Sequence, residues 1–122
     1  MPRTNVVFFR EDDGSIPVLD WLDTLAPRAK VKCRFKLERL RELGHELRRP
    51  EADYLRDGVY ELRVSLQGVQ YRLLYFFDGT VAAAVSHGIV KERAVPDTEI
   101  DRALDRRIRF QLKPKRHTYE ER

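Results

Sequence analysis

The chain has 122 residues, with 24 Lys and Arg against 20 Asp and Glu for a net charge of +4, a length suited to one domain that buries roughly two-thirds of its unfolded surface. One cysteine, Cys33, excludes an intramolecular disulfide, and no paired Cys/His spacing reads as a zinc site, so the expectation is a reduced, cytoplasmic setting with no metal and no cofactor. The first residues lack an apolar signal core and no apolar run is long enough to span a bilayer, which predicts a soluble protein with no membrane partner.

Charge is unevenly spread along the chain. Residues 1–27, 28–49, 50–100 and 101–122 carry −3, +6, −3 and +4 respectively. Two basic blocks on an acidic frame point to a polyanion or an acidic protein as partner, because clustered Lys and Arg raise the local concentration of anions. A solvated helix surface is the alternative for either block taken singly.

Val6 to Arg10 is a short apolar run ended by Glu11-Asp12-Asp13-Gly14, a buried strand and its turn. Ser15-Ile16-Pro17 then opens a first helix ending at Ala26, with Val18, Leu22 and Leu25 at helical spacing. Pro27 starts a second helix that runs to Gly44, with Ala29, Cys33, Leu37, Leu40 and Leu43 on one stripe. Val31 and Phe35 fall off that stripe and imply a second contact, with the first helix or with a partner protein. This helix holds more Lys and Arg than Glu38 and Glu42 can pair. Residues 45–57 read as a connection through Pro50.

Val59 to Phe77 reads as a β-hairpin turning at Gln67-Gly68, and parity sets its register. Leu66, Val64, Leu62 and Tyr60 pair with Val69, Tyr71, Leu73 and Tyr75 on an apolar face that forms core. The opposite face pairs Ser65 with Gln70, Arg63 with Arg72, Glu61 with Leu74 and Val59 with Phe76. Two guanidinium groups directly opposite each other repel, so either Glu61 neutralises them or the pair exists to grip an anion such as a phosphate. Asp78-Gly79 predicts a second two-residue turn that pairs Phe77 with Thr80, setting Arg72 opposite Val85 and Gln70 opposite His87. If alternation survives a possible bulge at Gly88, Arg63, Arg72, His87 and Lys91 converge with Gln70 and Ser65, and Arg93 follows, on a patch suited to a phosphodiester.

Pro96-Asp97-Thr98-Glu99 opens a last helix with acidic residues in its first turn and Ile100, Leu104 and Ile108 as its apolar stripe. A second stripe is basic, with Arg102, Arg106, Arg109 and Lys113 and only Asp105 near enough along the helix to offset Arg109. Residues 113–122 read as a frayed basic tail. The order predicts one small α+β domain over 1–122: an antiparallel sheet core, an N-terminal helical hairpin on one face and a C-terminal helix over Val59, Leu74, Phe76 and Ala83 on the other.

Leu55-Arg56-Asp57-Gly58-Val59-Tyr60-Glu61-Leu62-Arg63, Tyr71-Arg72-Leu73-Leu74-Tyr75-Phe76, His87-Gly88-Ile89-Val90-Lys91, and Pro96 with Glu99-Ile100 and Ala103 together resemble the RelE/ParE toxin superfamily, most of all its HigB-like, phage-derived branch. The resemblance covers about residues 50–110, and the helical hairpin at 16–44 fits the family order. It implies a type II toxin, partnered by an antitoxin that is often a helix-turn-helix protein. Many members cut messenger RNA on the ribosome, and the implied site is Arg63, Arg72, His87, Lys91 and Arg93. The usual Lys-Lys pair is replaced here by Lys91-Glu92-Arg93, and Val95 stands where a Ser or Thr often caps the last helix.

Metal-independent RNA cleavage by the ribose 2′-hydroxyl needs donors for the charge on phosphorus, a base and an acid. Arg63 and Arg72 suit the first role, and His87 or Lys91 the others. Arg93, Gln70, Arg102, Arg106 and Arg109 would hold RNA. The alternatives are a non-enzymic inhibitor of DNA gyrase, as in ParE-type members, and a phage-derived accessory protein without catalysis.

Overall fold

The computed structural model describes residues 4–79, 82–91 and 93–121, with only the backbone of Ala82; the readings that involve Thr80 and Glu92 lie outside the described residues. Its strands are β1 (Asn5–Phe9), β2 (Ala52–Arg56), β3 (Val59–Leu66), β4 (Val69–Asp78), β5 (Ala82–Val90) and β6 (Thr118–Tyr119). Its helices are α1 (Pro17–Asp23), α2 (Pro27–Leu43), α3 (Asp97–Leu112) and α4 (Pro114–His117). The sheet runs β2-β3-β4-β5-β1-β6, and every neighbouring pair is antiparallel except β1 with β5. This is the α+β architecture expected, and it is consistent with a RelE-like fold.

Both faces of the sheet are covered. Leu62, Val64, Leu73 and Tyr75 pack with Val18 and Leu22 of α1 and Cys33, Leu37 and Leu40 of α2. Each such large apolar side chain contributes about 1.5–3 kcal/mol on burial. On the other face Val59 and Leu74 meet Ile100 and Ala103 of α3, while Phe9 and Phe76 meet Phe110. β1 is sandwiched, with Val6 and Phe8 in the first core and Val7 and Phe9 in the second, which is why its sequence is a continuous apolar run.

The β3–β4 register runs as parity requires, from Val59 opposite Phe76 to Leu66 opposite Val69, with Arg63 opposite Arg72. Gln67 and Gly68 take φ of 50° and 80°, the left-handed pair that matches a two-residue turn to the twist of its strands. The β4–β5 register differs from expectation. Phe77 pairs with Ala83 and Asp78 with Ala82, and the register slips between Leu74 and Tyr75, so that Tyr75 faces Val85, Leu74 faces His87 and Arg72 faces Ile89. The run Ala82-Ala83-Ala84-Val85 has no polar alternation to pin its pairing. The extra residue is Ser86 rather than Gly88, and Ala83 accordingly belongs to the α1/α2 core.

Three other expectations are corrected. Residues 52–56 are not connection but the short, charged edge strand β2, paired with β3. Residues 114–119 are not frayed: β6 pairs with β1, and the buried His117 ring stacks on Phe9 at 4.9 Å. The buried side of α3 is Ile100, Ala103, Arg106 and Phe110, whereas Ile108 is 58% exposed. Phe110 wins that side because its ring fits edge-on against Phe76 at 5.6 Å.

Candidate functional site

Cross-strand pairing of β3 with β4 puts Arg63 and Arg72 side by side, and the repulsion this creates is met by a carboxylate built into the same face. Glu61, two residues along β3 from Arg63, is 2% exposed. Arg72 donates from Nη1 to Glu61 Oε1 at 2.5 Å, and Arg63 from Nη2 to Glu61 Oε2 at 3.5 Å and to Asp53 Oδ2 on β2 at 3.1 Å. Arg72 Nε donates to the Lys91 carbonyl at 3.3 Å. Neutralisation by Glu61 is therefore real, yet it leaves donors over. Arg63 Nε is buried without an acceptor, and Arg63 Nη1 and Arg72 Nη2 make no hydrogen bond among the described residues.

The backbone N–H of Lys91 donates to the Gln70 carbonyl at 3.1 Å, which extends the strand pairing past Arg72 and places an exposed lysine beside it. Gln70 Nε2 donates to Ser65 Oγ at 2.9 Å. Arg93, two residues on from Lys91, is exposed. The structure thus gathers Arg63, Arg72, Gln70, Ser65 and Lys91 at the end of the sheet nearest the Gln67-Gly68 turn.

From Arg63 the surface opens into a groove of about 480 Å³ between α2 and the sheet, lined by Lys32, Phe35, Lys36, Pro50, Arg63, Ser65 and Gln70. Lys32 Nζ donates to the Ser65 carbonyl at 2.6 Å, tying α2 to the hairpin tip. Lys36 and Arg39 both hold Glu51, at 3.1 and 2.9 Å. The hydrogen bond from Arg39, helped by that from Lys36, depresses the Glu51 carboxyl to about 2 against the opposing effect of burial.

His87 is on the arginine face but displaced from its Gln70 end. The slipped register seats it opposite Leu74, the residue that also faces Glu61, two residues along β4 from Arg72, or roughly 7 Å at strand spacing. It is buried beneath α3, with Nε2 3.0 Å from Glu99 Oε1 and Nδ1 2.7 Å from Ser86 Oγ. Burial, then the nearby Arg106 charge, pushes its pKa down to about 4 although Glu99 pulls the other way. The neutral ring fits these partners: Nε2–H donates to the carboxylate, Nδ1 accepts from the Ser86 hydroxyl, and that oxygen accepts from Arg106 Nη1 at 3.3 Å.

The middle of the basic stripe of α3 is turned inward. Arg106 is buried and donates to Glu11 Oε2 at 3.1 Å; Arg109 donates to Glu11 Oε1 at 2.8 Å and to Asp105 at 3.0 Å. Both guanidiniums lie over the Phe9 ring, at 5.6 and 5.1 Å. Burial works to raise the Glu11 carboxyl, and the hydrogen bonds from Arg109 and Arg106 outweigh it, holding the pKa below its usual value. Arg102 remains more than half exposed, 3.5 Å from Glu99. Sequence reading missed Glu11 because it lies 95 residues before Arg106, and it missed the groove except for one signal, the off-stripe Phe35.

Among the described residues, no group of three His, Cys, Asp or Glu side chains is placed to hold a metal ion, and no helix is long and apolar enough to cross a membrane. No curated protein matches the chain. A family model described as Phage derived protein Gp49-like (DUF891) matches residues 20–108, a span that contains every residue of the arginine site and its groove. By that match the chain belongs to the Gp49-like phage-derived protein family, which is associated with RelE-type, toxin-like proteins.

Proposed function

We propose that this protein is the toxin of a type II toxin–antitoxin pair, in the HigB-like branch of the RelE/ParE superfamily, and that it cleaves translated messenger RNA without a metal. The observation that carries the reading is the pair of facing guanidiniums, held by a buried glutamate and still left with unused donors.

In the proposed reaction the ribose 2′-hydroxyl gives up its proton to solvent water, its oxygen attacks the adjacent phosphorus and the bond from phosphorus to the 5′-oxygen breaks, leaving a 2′,3′-cyclic phosphate and a 5′-hydroxyl. Arg63 and Arg72 stabilise the charge that grows on the non-bridging oxygens, a role for which Arg's planar fork is suited. Lys91, exposed beside Arg72, supplies the proton to the leaving oxygen. Gln70 and Arg93 contact the flanking strand. His87, Arg106 and Arg109 have no part in this scheme, because each is already paired internally, His87 with Glu99 and both arginines with Glu11. The partners are the translating ribosome with its message and a cognate helix-turn-helix antitoxin.

Growth arrest on induced expression tests the proposal, with Arg63→Ala and Arg72→Lys as variants. Arg72→Lys keeps a positive charge on Glu61, so it tests the fork without stranding the buried carboxylate. Both should lose toxicity at wild-type protein level, and message recovered from wild-type cells should carry cyclic phosphate ends. Full toxicity in either folded variant, or arrest of DNA replication before translation, would sink the reading and favour a gyrase inhibitor.

A further inference from the structure

We infer that the groove between α2 and the hairpin tip is a binding site for one unstacked nucleotide of a single-stranded RNA, with the Phe35 ring as its stacking surface. This rests on the nuclease reading and extends it to the substrate strand beyond the scissile phosphate. Phe35 is 61% exposed on a wall of the groove, which it shares with Lys32, Lys36, Arg63 and Pro50. A bare aromatic ring beside cations is the arrangement that single-strand binding surfaces use, since every base has a face to stack.

The rest of the lining completes such a site. Lys32 and Lys36 flank the ring on α2, and Arg63 joins the groove to the arginine pair, so a strand with a phosphate at Arg63 and Arg72 runs directly into it. Gln70 and Ser65 present an amide and a hydroxyl, already hydrogen-bonded to each other, that can meet a base edge. Seven cations, Lys32, Lys36, Arg39, Arg49, Arg63, Arg72 and Lys91, surround this region against the three carboxylates Glu51, Asp53 and Glu61.

The size of the groove suits one nucleotide. At about 480 Å³ the groove is within the roughly 300–1,000 Å³ of small-ligand pockets, whereas a docked helix is about 10 Å across and needs a long apolar trough. Val31, one turn before Phe35 and also exposed, is not part of the lining.

The test is binding of a fluorescent 2′-O-methyl RNA oligonucleotide, which cannot be cleaved, compared with the same sequence as a duplex. Phe35→Ala should raise Kd for the single strand roughly tenfold, as expected for loss of one stacked base. Phe35→Trp should restore it, with the salt dependence unchanged because no phosphate contact is removed. Since Phe35 is exposed, the thermal midpoint should hold. A Kd within about twofold of wild type, or equal weakening for duplex and single strand, overturns the assignment. So does a Phe35→Ala protein that binds RNA normally but escapes neutralisation by its antitoxin, which makes the face a protein interface. Growth arrest by the arginine variants is read separately: its loss beside unaffected RNA binding by Phe35→Ala rejects the groove and keeps the nuclease, and persistent arrest rejects the nuclease itself.

Discussion

Individual residues here are governed by whether a buried charge has a partner. Glu61 is nearly inaccessible and takes its shortest hydrogen bond from Arg72, so removal of Arg72 weakens the fold instead of relieving repulsion. His87 makes the complementary case, a titratable group kept neutral by burial. Its pKa in the folded protein, about 4, is below the ordinary 6.5. As pH falls from 6.5 toward 4 the unfolded chain gains a proton there that the native state refuses, and stability falls by on the order of 3 kcal/mol across that window. Above pH 6.5 the effect vanishes. His87→Gln should erase this limb of the stability curve, measured by urea unfolding at stepped pH, while cleavage per folded molecule keeps its rate and pH profile. A separate loss below about pH 4.5 belongs to Glu51, Glu11 and Asp53, whose carboxyls are held low by their arginine and lysine partners.

Strands and helices meet at points where a single side chain decides the fit. Gly88 on β5 lies against the Trp21 indole of α1, and a Cβ there would fall inside the ring. Gly88→Ala should cost about 1–3 kcal/mol by overpacking, and Trp21→Ala in the same chain should recover part of it. A double-mutant cycle by denaturant unfolding checks this, and purely additive effects would mean that the contact is not the reason for glycine. The slip at Ser86 is of the same kind. One extra residue keeps Val85 under α1 and α2 while turning Ser86 and His87 toward α3.

Across the molecule, first and last segments are joined by charge. Glu11, just after β1, binds Arg106 and Arg109 on α3, and the α4–β6 segment closes over Phe9 through His117. Glu11→Ala leaves Arg106 buried without its carboxylate, so stability should fall by on the order of 3 kcal/mol. Thermal unfolding of the full chain reads the change; a midpoint equal to wild type would show that Arg106 is solvated and free for other partners. The same kind of pairing offsets part of the +6 on residues 28–49. Lys30, Arg34, Lys36 and Arg39 find Asp23, Glu121 and Glu51 on other parts of the chain.

Local rules determined what depends on near neighbours: the helical hairpin bounded by Pro17, Pro27 and Gly44, the Gln67-Gly68 turn, and the facing of Arg63 and Arg72 that follows from a two-residue loop. Parity along a hairpin is rigid, so one correct turn places sixteen residues. The β4–β5 register escaped because an alanine-rich strand packs almost equally well when slipped, and only the fit of Val85, Gly88 and His87 against three helices chooses among registers. Likewise the sequence marks which residues are charged, but ion pairs such as Arg106 with Glu11 join positions far apart in the chain. Only the folded structure decides which cations pair internally, as Arg106 does with Glu11, and which stand facing each other on the sheet, as Arg63 and Arg72 do.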